Sequence, residues 1–157
     1  MKHPYYDSFL LIERLHRYFL EVLKTELERQ GIHDINSVQC LILYNIGDDD
    51  LTVGELTVRG YYLGSNVSYN VKKMVENGWL TQERSAHDKR SVRVRLSDKG
   101  KALRDRMATM FARQLDGLGK ADLADSDLQT LNVILKKLER YWTGMIGYVG
   151  PGREGAE

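Results

Sequence analysis

Residues 65–96, SNVSYNVKKMVENGWLTQERSAHDKRSVRVRL, decide the fold of this chain. Ser65 is a helix-capping residue and Gly78 is a helix stop, so a helix is predicted from Ser65 to about Asn77. Successive helical residues are rotated by about 100°, which places the apolar residues on one side, namely Val67, Val71, Met74 and Val75. The opposite side is polar, basic and aromatic.

Two strands are predicted after this helix, over Trp79–Glu83 and Val92–Leu96, and the second alternates apolar residues with arginines. Residues 84–91 between them contain no large apolar residue, so they are predicted to project as a hairpin tip, or wing. From Arg84 to Arg95 five cationic residues face one acidic residue, a local charge of +4 in a chain whose net charge is +1. Paired basic elements of this kind are typical of surfaces that bind nucleic-acid phosphates.

The outward helix face and the wing therefore form a candidate DNA-binding surface. The alternative for the helix is the ordinary solvated side of an amphipathic helix. The candidate residues are Ser65, Asn66, Ser68, Tyr69, Lys72, Lys73, Arg84, His87, Asp88, Lys89, Arg90, Ser91 and Arg93.

The residues before this stretch complete a helix-turn-helix. Thr52 and Glu55 form a capping box that opens a short helix ending near Arg59, and Gly60–Gly64 is a tight connection to the helix at Ser65. A further capping box, Asn36 with Gln39, opens a helix through Ile46.

Long amphipathic helices are predicted at both ends of the chain. One covers about residues 5–28, another opens at Ser97 and runs to about Leu118, and a capping box at Ser126 opens the last. Their large apolar residues exceed what one compact domain needs, which predicts a two-fold homodimer. The predicted fold is mainly α with a small β-hairpin. We expect a winged helix-turn-helix lobe over about residues 36–100, dimerisation helices over about 5–30 and 101–146, and a mobile tail over residues 147–157.

Composition excludes several other classes. The single cysteine, Cys40, rules out an internal disulfide and fits a reducing compartment, and the absence of an export signal or membrane-spanning run predicts a cytoplasmic protein. The histidines are scattered, and the sequence has no phosphate-binding loop and no nucleophile motif. We therefore expect a protein that is not an enzyme and that has no metal site and no cofactor. Asp48-Asp49-Asp50 lacks the spacing of a calcium loop and is interpreted as a solvated loop.

The order of these elements resembles the MarR family of winged-helix transcription regulators over about Phe9–Met145. The most specific similarities are residues 39–43 (QCLIL), Thr52–Leu56, residues 77–80 (NGWL), the wing sequence HDKR at 87–90, and VRLSDKG at 94–100.

This resemblance implies how the protein acts. The helix at Ser65 would enter the major groove of a palindromic double-stranded DNA site. Arg90, held in place by Asp88, would reach the adjacent minor groove. The alternative for Asp88 and Arg90 is an ordinary exposed ion pair with little effect on stability. We expect a repressor. A small aromatic or anionic effector is left open, with candidate ligands Tyr5, Tyr6, His16, Tyr18, Tyr44 and Arg59. Cys40 is interpreted as a core residue, with a redox switch as the alternative. A winged-helix protein-assembly module without DNA binding is the alternative function.

Overall fold

The computed structural model describes residues 3–60, 64–84 and 91–147. The chain divides into two compact units, residues 1–104 and 105–157, and the boundary falls within one helix. The helices are α1 (Pro4–Arg29), α2 (Ser37–Ile46), α3 (Val53–Gly60), α4 (Gly64–Glu76), α5 (Asp98–Gly117) and α6 (Asp125–Met145), with a 3-10 helix at Leu118–Ala121 before α6. The strands are β1 (Leu51–Thr52), β2 (Leu80–Arg84) and β3 (Val92–Leu96).

Capping side chains set the starts of the helices in the first unit. Asn36 Oδ1 accepts from the Gln39 N–H at 2.8 Å, while Gln39 Oε1 accepts from the Asn36 N–H at 3.2 Å, and these bonds open α2. The same reciprocal pair, Thr52 with Glu55, opens α3 at 3.1 and 3.2 Å. Both capping boxes confirm the sequence prediction.

The sheet has three strands rather than the two of the predicted hairpin. β3 lies in the centre, antiparallel to β1 on one side and to β2 on the other. Leu51 is opposite Val94, and Leu80 is opposite Leu96, so their apolar side chains face the core together. β1 was not predicted because two residues are too few to show an alternating pattern.

The core of the first unit joins α2, α3, α4 and the sheet. Its most deeply buried side chains include Ile42, Leu43, Ile46, Leu56, Val67, Met74 and Val94. Gly78, at φ +79°, ends α4, since only glycine adopts this left-handed conformation without steric cost. The apolar side predicted for α4 is therefore the buried one at Val67, Val71 and Met74.

The second unit contains the end of α5 and all of α6. α6 begins at Asp125, and the carboxylate of Asp127 accepts from the Ala124 N–H at 3.0 Å. The cap was predicted at Ser126, but the helix already includes that residue, so the predicted position is wrong. Among the described residues, no helix is both long and apolar enough to cross a membrane.

Candidate nucleic-acid interface

The outward face of α4 is available to a partner. Asn66, Ser68, Tyr69 and Lys72 are exposed, and 62% of Tyr69 is accessible. Lys73 pairs with Glu76 at 3.5 Å, and its Nζ lies 6.0 Å from the centre of the Tyr69 ring. Lys72 makes no ion pair within residues 3–60, 64–84 and 91–147. Among the described side chains of this face, Lys72 is thus the cation left open to a phosphate.

The arginines of β3 differ from this lysine because both have acidic partners. Arg93 Nε donates to Asp50 Oδ1 at 3.2 Å, and Arg93 Nη2 donates to the Asp50 carbonyl at 2.6 Å. Arg95 lies 3.8 Å from a carboxylate oxygen of Glu83 on β2. Arg84, at the end of β2, is exposed and has no ion pair among the described residues. Counting charges along the sequence therefore overstated the positive charge of the strands.

The wing tip lies outside the described residues. This applies to four predicted DNA contacts, His87, Asp88, Lys89 and Arg90. Ser91, half-buried, precedes β3, and the side chain of Ser65 is also outside the described part. The pairing of Asp88 with Arg90 consequently stays a prediction.

The three aspartates between α2 and β1 each bind a different arginine. Asp48 contacts Arg104 of α5, Asp49 binds Arg59 of α3 at 2.6 Å, and Asp50 binds Arg93. Exposed pairs of this kind contribute about 0–1 kcal/mol each, so they orient the arginines more than they stabilise the fold. The run was predicted as a merely solvated loop, and its three long-range partners could not be seen in the sequence. Among the described residues, no cluster of three His, Cys, Asp or Glu side chains could hold a metal ion.

The six residues predicted to bind an effector do not form one cluster. Tyr5 and Tyr6 contact the Phe9 ring at centroid distances of 5.4 and 5.9 Å. Tyr18 is further along α1 than Tyr5 by about 20 Å, and His16 is exposed on the same helix. Tyr44 is exposed on α2. Arg59 already donates to Asp49 and, at 3.1 Å, to the Asn45 carbonyl.

An open cleft of about 570 Å³ lies beside α4, and none of those six residues lines it. It lies between the start of α3, one side of α4 and the strands β2 and β3. Three residues of the candidate interface, Ser68, Lys72 and Ser91, form part of its wall together with Thr52, Gly54, Glu76 and Gln82.

Cys40 is a core residue of α2. Its side chain is 1% exposed, and burial raises the pKa of the thiol to about 12 because the thiolate is poorly solvated there. A redox role needs an accessible thiolate, so the interpretation of Cys40 as a core residue agrees with its surroundings.

Comparison with known proteins identifies the family. Helix-turn-helix, three-stranded sheet and flanking helices together define a winged helix-turn-helix protein. The model of the MarR family matches residues 33–91. The exopolysaccharide II synthesis transcriptional activator ExpG of Rhizobium meliloti is 35% identical over 144 residues, which cover 92% of this chain and 74% of ExpG. The chain belongs to the MarR family and is a transcription regulator, not an enzyme.

Solved structures share this fold. AbsC, a MarR family transcriptional regulator from Streptomyces coelicolor, superposes with a TM-score of 0.73 at 18% identity, covering 92% of this chain and 97% of AbsC. The Staphylococcus aureus MepR–DNA complex gives a TM-score of 0.71 at 17% identity, covering 90% of this chain and 99% of MepR.

Proposed function

We propose that this regulator binds double-stranded DNA sequence-specifically, with α4 in the major groove and the wing in the adjacent minor groove. The exposed polar face of α4, with Lys72 open and Tyr69 and Asn66 beside it, is the observation that carries the proposal. The structure of MepR with DNA supports it by similarity of fold. We further propose that the protein acts in the cytoplasm.

The proposed DNA-binding unit is a homodimer. α1 has an exposed apolar stripe along one side, Leu11, Leu15, Tyr18 and Val22, and α6 has no buried residue along its whole length. Apolar side chains of α6 recur at three- and four-residue steps, at Leu131, Leu135, Leu138, Trp142 and Met145. Leu131, Leu135 and Met145 are exposed, and the other two are half-buried. Apolar faces of this extent are costly in water, so we propose that the terminal helices of two protomers cover one another.

Selection from random duplexes tests this proposal. A two-fold dimer presents two α4 helices symmetrically, so the selected site should be an inverted repeat with half-sites about one helical turn, roughly 10 base pairs, apart. A selected site without two-fold symmetry would contradict the dimer. No duplex binding even at low salt would favour the assembly module, because the electrostatic attraction to DNA is strongest there.

Repression is the direction of regulation that we propose, although the relative ExpG is named an activator. A dimer bound across a promoter excludes polymerase from the same DNA. Transcription in vitro from a promoter carrying the selected site should therefore fall when the protein is added, and a rise would show activation.

A small aromatic or anionic effector is the remaining part of the proposal. The six residues predicted to bind it are spread over α1, α2 and α3. Salicylate, as a small aromatic anion, is the probe. It should release the protein from the selected duplex, and unchanged binding at millimolar salicylate would count against this class of effector.

A further inference from the structure

Gln39 is a polar side chain in an apolar core. It is 7% exposed, and it is the one buried polar side chain among the described residues. The capping box uses only its Oε1, which accepts from the Asn36 N–H. Its Nε2 donates at 3.1 Å to Oδ1 of Asn70, a residue of α4 that is 31 positions away in the sequence. The amide thus has a second partner, which helix capping does not require.

Asn70 lies at the edge between the buried and the exposed side of α4. On the helix it is about 40° from buried Met74 and about 40° from exposed Asn66. Its Nδ2 donates to the Asn66 carbonyl at 2.9 Å. The bond from Gln39 therefore ends next to Asn66 and Tyr69, the two residues placed to contact base edges.

Apolar packing alone does not set the rotation of α4 with the precision of a hydrogen bond. Val67, Val71 and Met74 hold the helix against the core, but apolar contacts have no preferred direction. A rotation of about 10° moves a side-chain atom roughly 6 Å from the axis by about 1 Å. Hydrogen bonds to base edges tolerate only a few tenths of an ångström around their optimum. A directional bond at the edge of the helix can supply the missing constraint.

The loop before α2 also binds the residues that follow α4. The Asp34 carbonyl accepts from Asn77 Nδ2 and from Trp79 Nε1, both at 3.1 Å. Asn36, two residues later, is bonded to Gln39. The α4 region is consequently attached to residues 34–39 at two separated points, which together determine both its position and its rotation.

We infer that the Gln39–Asn70 hydrogen bond is a positioning contact that sets the base selectivity of the protein by fixing the rotation of α4. This inference rests on the proposed DNA binding. Gln39 itself does not contact DNA. Asn70 affects base recognition by positioning Asn66 and Tyr69.

Fluorescence anisotropy with two labelled duplexes tests the inference, one duplex selected by the wild-type protein and one of random sequence. Asn70→Ala should reduce the ratio of the two affinities at least tenfold, with affinity for the random duplex and the salt-dependence slope almost unchanged, because no charge is removed. Asn132→Ala, the same substitution at an exposed position of α6, is the control and should retain the ratio.

Two further variants separate positioning from a general loss of structure. Asn70→Asp retains the acceptor oxygen for Gln39 and loses only the donor to the Asn66 carbonyl, a contact within α4 itself. Most of the ratio should therefore survive, while affinity for both duplexes falls together from the added negative charge. Gln39→Leu should reduce the ratio, and the Gln39→Leu/Asn70→Ala double variant should lose no more than either single variant, as expected when both act through one bond.

An unchanged ratio in folded Asn70→Ala, or additive losses in the double variant, would overturn the positioning role. If the wild-type protein itself binds both duplexes equally, the proposed function fails instead, and the two failures are therefore distinguishable.

Discussion

Gly100 lies in the first turn of α5, where the helix approaches the chain just after α4. A Cβ atom at this position would lie 2.2 Å from the Trp79 carbonyl oxygen, which is backbone and cannot rotate away. Gly100→Ala should therefore lower the free energy of unfolding by about 1–3 kcal/mol or more. Gly144→Ala on α6, where nothing lies within 4 Å of the added atom, is the control and should not destabilise. Urea denaturation measures both, and equal stability of the two variants would contradict this close approach.

Cys40 provides a prediction about pH and reactivity. With a pKa of about 12, only about one thiol in ten thousand is ionised at pH 8, compared with a substantial fraction at the ordinary value of about 8.5. Iodoacetamide should label the urea-unfolded protein readily and the native protein only as fast as it unfolds.

The raised pKa of Cys40 also determines how the stability of the protein changes with pH. The unfolded thiol loses its proton first, so the contribution of Cys40 to stability is complete below about pH 8.5 and is lost as the pH rises towards 12. Native labelling at the rate of a free thiol would contradict the burial of Cys40.

Single residues also show where sequence reasoning stops. Asn36 and Thr52 could be identified as caps because their partners are three positions away. Arg93 could be recognised as a cation, but its partner Asp50 is 43 positions away and depends on the pairing of β1 with β3. Local contacts were therefore predictable, whereas the electrostatic environment of the strands required the tertiary structure.

At the level of elements, α4 and the wing should contribute different information. Tyr69→Ala should reduce the preference for the selected duplex over a random one and leave the salt slope nearly unchanged, because the major groove distinguishes all base pairs and no charge is lost. Arg90→Ala should weaken both duplexes by similar factors and reduce the slope by about one, because the minor groove and the phosphates carry little sequence information.

Anisotropy over a salt series, with both duplexes, measures the two effects. The assignment of the elements to their grooves is wrong if Arg90→Ala mainly removes the sequence preference while Tyr69→Ala changes nothing.

Elements with strong periodicity were predicted almost completely, although the cap of α6 was placed at Ser126, inside the helix. β3 begins and ends as expected at Val92 and Leu96, and α2 spans the expected residues. β2 was displaced by one residue, over Leu80–Arg84, because Trp79 belongs to the turn after Gly78. Alternation identifies the face of a strand, but only the register with β3 fixes its first residue.

For the whole molecule, dimerisation is the main prediction. Replacing Leu131, Leu135 and Leu138 with serine should give aggregated or unfolded protein, because the apolar surface that these leucines would cover stays exposed to water. Deletion of residues 1–28 should do the same. Val133→Ser, an exposed apolar position on another side of α6, is the control and should remain dimeric.

Sedimentation equilibrium provides the measurement. The wild type and the control should show about twice the chain mass of 18.1 kDa. A folded dimer from either disrupted variant would show that the terminal helices are not the dimer interface, and a soluble, folded monomer would contradict the expected loss of folding.

The most direct measurement of the central claim is the salt dependence of duplex binding by Lys72→Gln and Lys136→Gln. Both lysines are exposed and both variants remove one positive charge, but Lys72 lies on the outward face of α4 and Lys136 on α6. Lys72→Gln should weaken binding to selected and random duplexes alike and reduce the slope of log affinity against log salt by about one, and Lys136→Gln should change neither. Equal effects of the two substitutions, or no binding by the wild type at low salt, would contradict DNA recognition through α4.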